Sequence, residues 1–257
     1  MTAALPTLFI SHGSPMHALE PGAVRGAWEK IARELPRPKA LLIASAHWET
    51  VAPAMTASAK PETIHDFYGF PRPLYQIQYP VKGDPGLASR AVKLLKEKNL
   101  EAASDPSRGL DHGAWSPLLY MYPQAEVPVV QIAVQTALGP RHELAVGQAL
   151  APLADEGVLI IGSGHTTHNL RERRAGAALP YVVEFQDWVW KMIQARDLDM
   201  LAEYRARNPH GARAHPTEEH FLPLFVALGA ASAGYRPERV FDGVDTGSLA
   251  MDAYVFH

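Results

Sequence analysis

Leu8-Phe9-Ile10-Ser11-His12-Gly13-Ser14-Pro15 is an apolar run that stops at a histidine and then at turn-forming residues. Leu42-Ile43-Ala44-Ser45-Ala46-His47-Trp48 has the same layout, and Val158-Leu159-Ile160-Ile161 runs into Gly162-Ser163-Gly164-His165-Thr166-Thr167-His168-Asn169-Leu170. Runs this short and this continuously apolar predict strands covered on both faces, because a strand with one wet face alternates. The expected strands are Thr7–Ile10, Ala40–Ala44, Val127–Val134 and Val158–Ile161. Segments of helical period lie between them. Strands alternating with helices predict an α/β fold: one domain over residues 1–257, with a mostly parallel central sheet and helices on both faces.

Asp84-Pro85 pairs an N-cap with a first-turn proline and opens a helix that runs to Asn99. Arg141–Ala154 reads as a second helix ending at Gly157, and Tyr181–Ala195 carries an apolar stripe of Val182, Phe185, Val189 and Met192. Thr217 is the expected cap of a helix that continues through Leu224 to Leu228 and stops near Gly229. The tail Ser248–Phe256 alternates and suits an edge or antiparallel strand. Lys60–Gly86, rich in proline and aromatics, reads as a long ordered excursion from the sheet.

The 257 residues suffice for a sizeable core without staples. A net charge of −3 offers no long-range attraction to polyanions, so nucleic acid is not an expected partner. The absence of cysteine excludes disulfides, Cys-ligated zinc, Fe–S clusters and thiol nucleophiles. No run approaches the ~18 apolar residues of a membrane span, and no basic segment precedes an apolar one at the N-terminus. The expectation is a soluble cytoplasmic protein without a membrane partner. Oligomeric state is left open. The unusual count is 12 histidines.

In open α/β sheets, ligand sites lie beyond the carboxyl ends of the strands. His12, His47 and the histidines of the Gly162–Leu170 stretch are therefore expected to face one crevice. Neutral imidazole is the commonest metal ligand, and a His/carboxylate set without Cys suits Zn, Fe(II) or Mn. One histidine at a strand end is usually a hydrogen-bonded structural residue. Recurrence in Gly/Ser contexts shifts the balance toward ligation. His112, between Asp111 and Gly113, reads equally as an active-site group and as a turn at a helix start. His215, Glu219 and His220 fall in the expected first turn after Thr217, although acidic first turns also complement the helix dipole. His17, His65, His142, His210 and His257 read as surface or loop residues.

Ser11-His12-Gly13-Ser14-Pro15, Ser45-Ala46-His47-Trp48, Asp66-Phe67-Tyr68-Gly69-Phe70-Pro71, Leu110-Asp111-His112-Gly113, Gly162-Ser163-Gly164 with His168-Asn169-Leu170, Glu219-His220-Phe221-Leu222-Pro223 and Met251-Asp252-Ala253-Tyr254 occur in that order. On these motifs the chain resembles the DOPA-dioxygenase group of class III (LigB-type) extradiol ring-cleaving dioxygenases, from residue 11 to residue 254. The resemblance implies a LigB-like single-domain α/β fold and a non-haem Fe(II) enzyme that opens a catechol ring with O₂ beside its two hydroxyls. It implies His12 and His47 as metal ligands, His168 as the acid/base histidine and His112 as the histidine contacting substrate or oxygen. His220 stands where the wider class has a glutamate ligand, with Glu219 as the neighbouring alternative. Zinc held by four histidines, described for the group, would add His168, so Zn²⁺ is a second candidate ion beside Fe²⁺.

Such chemistry needs open coordination sites, since a small aromatic diol and O₂ bind together. It also needs a base for the catechol proton, which histidine serves well. Phe67, Tyr68, Phe70 and Trp48 are candidate walls for a planar ring. Asp111 or Asp66 is expected to fix the second ring nitrogen of His12. Arg72, Arg108, Arg171 and Arg173 are candidate cations for a substrate carboxylate. The expected product is a muconic semialdehyde from a DOPA-like or protocatechuate-like catechol. The alternatives are a zinc hydrolase with Glu219 as base and a non-catalytic metal-binding member of the fold.

Overall fold

The computed structural model of the chain describes residues 4–257. Its strands are β1 (Thr7–Ser11), β2 (Ala40–Glu49), β3 (Ala54–Thr56), β4 (Ala103–Asp105), β5 (Val129–Val134), β6 (Val158–Gly164), β7 (Pro237–Phe241), β8 (Val244–Asp245), β9 (Leu249–Ala250) and β10 (Ala253–Phe256). An eight-stranded sheet has the order β4-β3-β5-β2-β6-β1-β10-β7, and β8 and β9 form a separate ribbon. The centre, β5-β2-β6-β1, is parallel. Antiparallel pairings flank it: β3 on β5, and β10 on both β1 and β7.

The main helices are α1 (Val24–Glu34), α2 (Pro85–Glu97), α3 (His112–Met121), α4 (Gly139–Leu150), α5 (Pro180–Ala195) and α6 (Leu222–Ala230). Side chains alternate across a strand, so each apolar strand serves two cores. Leu8, Ile10, Leu41, Ile43, Leu159 and Ile161 pack with Trp28 of α1 and Trp115 of α3 on one face. Phe9 packs with Phe185 and Phe225 on the other, where Leu42, Ala44, Val130 and Ile160 meet Leu94, Leu150 and Val226. This double burial accounts for the unbroken apolar runs.

Several boundaries differ from the sequence expectations. β2 continues past Ala44 to Glu49, so His47 lies within the strand. β5 begins at Val129, because Pro128 has no N–H for the ladder and its carbonyl accepts from Leu41 N at 2.8 Å. The helix expected over Arg141–Ala154 divides into Gly139–Leu150 and a short turn, Pro152–Asp155, with proline opening the second piece. Thr217 is not a helix cap: its hydroxyl donates to Glu219 Oε1 at 2.9 Å, and α6 begins only at Leu222. The tail pairs antiparallel but is no edge, since β10 sits between β1 and β7. No helix among the described residues is long and apolar enough to cross a membrane.

Candidate metal centre

The carboxyl ends of the adjacent strands β1, β6 and β2 meet on one side of the sheet. His12 directly follows β1, and Gly13 takes a φ of 75°, which turns the chain immediately after it. His47 projects from the last turn of pleat in β2. His220 comes from the segment before α6 and is brought in by β6: His165 N donates to His220 O at 2.7 Å. Gly164 permits that approach. A Cβ at Gly164 would lie 2.1 Å from His220 O, so any side chain there pushes the segment away.

Nε2 of His47 lies 3.1 Å from Nε2 of His12 and 3.3 Å from Nε2 of His220. Each ring turns its other nitrogen toward an oxygen. The Ser163 hydroxyl donates to Gly113 O and therefore accepts from His12 Nδ1, 3.1 Å away. His47 Nδ1 lies 3.3 Å from Asp66 Oδ2, and His220 Nδ1 donates to Glu219 Oε1 at 3.0 Å. With the proton on Nδ1 in all three rings, three Nε2 lone pairs face one another with no hydrogen between them. Three acceptors in one buried spot repel; a cation among them turns the repulsion into coordination. His12, His47 and His220 could thus hold one metal ion. Burial first, then the neighbouring imidazoles, drive all three well below the usual histidine range, so each is in its neutral, ligating form.

Asp66 serves two rings. It accepts from His112 Nδ1 and from His112 N, both at 2.9 Å, besides facing His47. Burial pushes its carboxyl up, but the bonds from His112 and the nearness of His47 outweigh this and hold it down at about 2. His168 stacks on His220, with ring centroids 3.4 Å apart and planes 13° from parallel. Burial, then Arg173, then His112 lower His168 to about 4. Its ligating atom groups with Glu219 and His220, apart from the set that holds His12 and His47.

A cavity of about 300 Å³ opens over the cluster, and His112, His165 and His168 line it with the three converging rings. Phe67, Tyr68, Phe70 and Leu170 form its walls. Trp48 does not. It points to the opposite face of β2, under the Arg108 guanidinium 4.8 Å away. The acceptor for His12 is Ser163 rather than Asp111 or Asp66. Asp111 is buried in a network of its own, accepting from Ser45, Gln131 and Arg108. His215 is close in sequence to His220 but faces away, its Nε2 donating to Thr166 O at 2.8 Å and its ring stacked on Phe221. His65 packs against Phe67 and Trp115.

Sequence reading set His165 among the histidines facing the crevice but gave it no chemical role there. It is 1% exposed, lines the cavity, and its ring lies 5.0 Å from that of His12. Its position immediately after a strand was the available signal, obscured by His168 three residues on. Ser163 was equally hidden, since a serine between glycines reads as loop chemistry until the strand places it under His12.

A family model described as the catalytic LigB subunit of aromatic ring-opening dioxygenase matches residues 6–250. The chain belongs to the LigB family. It is 41% identical to a 4,5-DOPA dioxygenase extradiol of Beta vulgaris over 256 residues, covering 97% of this chain and 96% of that one. It is 37% identical to a protein of the same name from Escherichia coli K12, covering 96% and 93%. The crystal structure of an uncharacterized protein from Escherichia coli K12 superposes with a TM-score of 0.84 at 31% identity, covering 98% of this chain and all of that one. This LigB-family protein is an extradiol ring-opening dioxygenase, an oxidoreductase that depends on a metal and acts on an aromatic substrate with O₂. The likeness supports the α/β fold with its mostly parallel sheet.

Proposed function

We propose that this protein opens the ring of a DOPA-like or protocatechuate-like catechol with O₂ to give a muconic semialdehyde, in the cytoplasm. In this reading His12, His47 and His220 hold Fe(II), His168 is the acid/base and His112 hydrogen-bonds a substrate oxygen. The observation that carries it is the convergence of three Nε2 lone pairs at the base of an aromatic-walled cavity.

Fe(II), when bound, supplies a Lewis acid that acidifies a catechol hydroxyl and a route for electrons between ring and O₂. The protein supplies the rest. His168, lowered to about 4 and hence neutral at pH 7, is in the form that accepts a proton, and it can return that proton to the product. His112 spends Nδ1–H on Asp66, so its Nε2 is an acceptor for a hydroxyl on the ring. Phe67 and Phe70 offer flat apolar walls that keep water from the reacting face. A zinc-bound state with His168 as fourth ligand would require its ring to leave the stack on His220. In the hydrolase alternative the candidate base Glu219 has one oxygen, Oε1, engaged by both His220 and Thr217.

The test is oxygen uptake, together with the appearance of a yellow ring-opened product, by protein loaded anaerobically with Fe(II) and given a panel of catechols. Turnover with iron and none with zinc is expected. No uptake above the metal-free control across the panel would overturn the proposal.

A further inference from the structure

The geometry points to Arg173 as the residue that selects the substrate's charge: it receives a carboxylate on the catechol's side chain, and among the described residues no uncommitted carboxylate lines the cavity to pair with an ammonium. This deepens the catechol-cleaving reading above and rests on it. Of the four arginines singled out from the sequence, Arg173 alone lines the cavity. Arg108 is engaged elsewhere, donating to His47 O at 3.4 Å and Asp111 Oδ2 at 3.3 Å while covering Trp48. Arg173 makes no ion pair or side-chain hydrogen bond among the described residues. The adjacent acid, Glu172, is taken by two bonds from Arg213, both 2.9 Å long.

The backbone carrying Arg173 is pinned on both sides. Asn169 Nδ2 donates to Arg213 O at 2.8 Å and Ser248 Oγ donates to Asn169 O at 3.0 Å; beyond Arg173, Arg174 N donates to Thr246 O at 2.9 Å. A guanidinium on a fixed strap, free of partners and beside His168, is a prepared fork for a carboxylate. For an ammonium the balance is opposite. Among the described residues the one carboxylate lining the cavity is Asp66, and both its oxygens are committed to His112, with His47 beside them.

The experiment compares 3-(3,4-dihydroxyphenyl)propanoate, its methyl ester and dopamine as substrates of the Fe(II)-loaded protein, with anaerobic calorimetric binding of all three as a second readout. The wild type is expected to favour the acid over the ester by roughly three- to tenfold in kcat/KM, mostly through KM, the size of a partly exposed charge pair. Arg173→Gln should bring that ratio near unity, Arg173→Lys should restore part of it, and Arg173→Glu should shift preference toward dopamine. Arg171→Gln, outside the cavity lining, should leave the ratio as in wild type. An acid-to-ester ratio unchanged in Arg173→Gln and Arg173→Glu would overturn the inference, as would equal losses for all three ligands. If nothing is cleaved, the catechol-cleaving reading fails by itself, and the binding ratios still decide whether Arg173 reads charge.

Discussion

The floor of the cavity and its rim are built on opposite principles. On the floor, His12 is 1% and His220 5% exposed, and each of His12, His47, His112 and His220 has one ring nitrogen fixed by a serine or a carboxylate. On the rim, Tyr68 is 91% and Leu170 52% exposed, and Arg173 has no ion pair or side-chain hydrogen bond among the described residues. A floor of buried rings packed edge to edge tolerates little change and sets the reaction. A rim with loose ends can vary without disturbing the floor, and sets which molecule reacts.

That contrast breaks if floor substitutions prove mild. Replacing His12, His47 or His220 by alanine should abolish stoichiometric metal, measured by elemental analysis after loading, and reduce oxygen uptake to background. His168→Ala should lower kcat by about 10²–10⁴-fold with metal retained, as for loss of a proton-transfer group. Metal lost along with activity would make His168 a ligand instead. One shell further out, Asp66→Asn should cost about 10–100-fold in metal affinity or kcat, because it frees both His47 and His112; competition with a chelator would read it.

The pH response sharpens the comparison through a histidine that belongs to neither region. His215 is buried, and burial lowers it to about 3. Below the unfolded-state value of about 6.5 the unfolded chain binds a proton that the folded chain refuses, so stability falls as pH drops through that window. His215→Gln should therefore flatten the decline in metal-free stability between pH 6.5 and 5 by on the order of 1–2 kcal/mol, read from denaturant unfolding. The rim should yield the smallest effect. Tyr68→Ala is expected to change KM by no more than about threefold, leaving metal content and unfolding midpoint untouched; a loss of metal there would erase the distinction.

How much of this was legible in the sequence divides along the same line. Apolar runs ending in histidine revealed the parallel centre and placed His12 and His47 at its carboxyl edge, because burial on both faces leaves a continuous pattern. The short flanking strands β3, β4 and β7 left no such mark, being two-sided only in part. His220 was legible as a candidate, but its setting was not: Thr217 looks like a cap, and only the tertiary contact between Gly164 and His220 O shows that the helix starts later. The choice among four arginines was invisible, since it depends on which guanidinium the fold brings to the cavity. Trp48 was misread as a cavity wall because it follows His47 directly, and in a strand the next residue faces the opposite way.

β1 is hydrogen-bonded between β6 and β10, so the strand that leads into His12 has both its neighbours encoded after residue 157. His12 therefore meets the last of the three converging imidazoles only when synthesis has passed residue 220. In the proposed reading, metal capture is in consequence a late event in the life of the nascent polypeptide, and a product truncated before residue 220 would lack the third imidazole of the set.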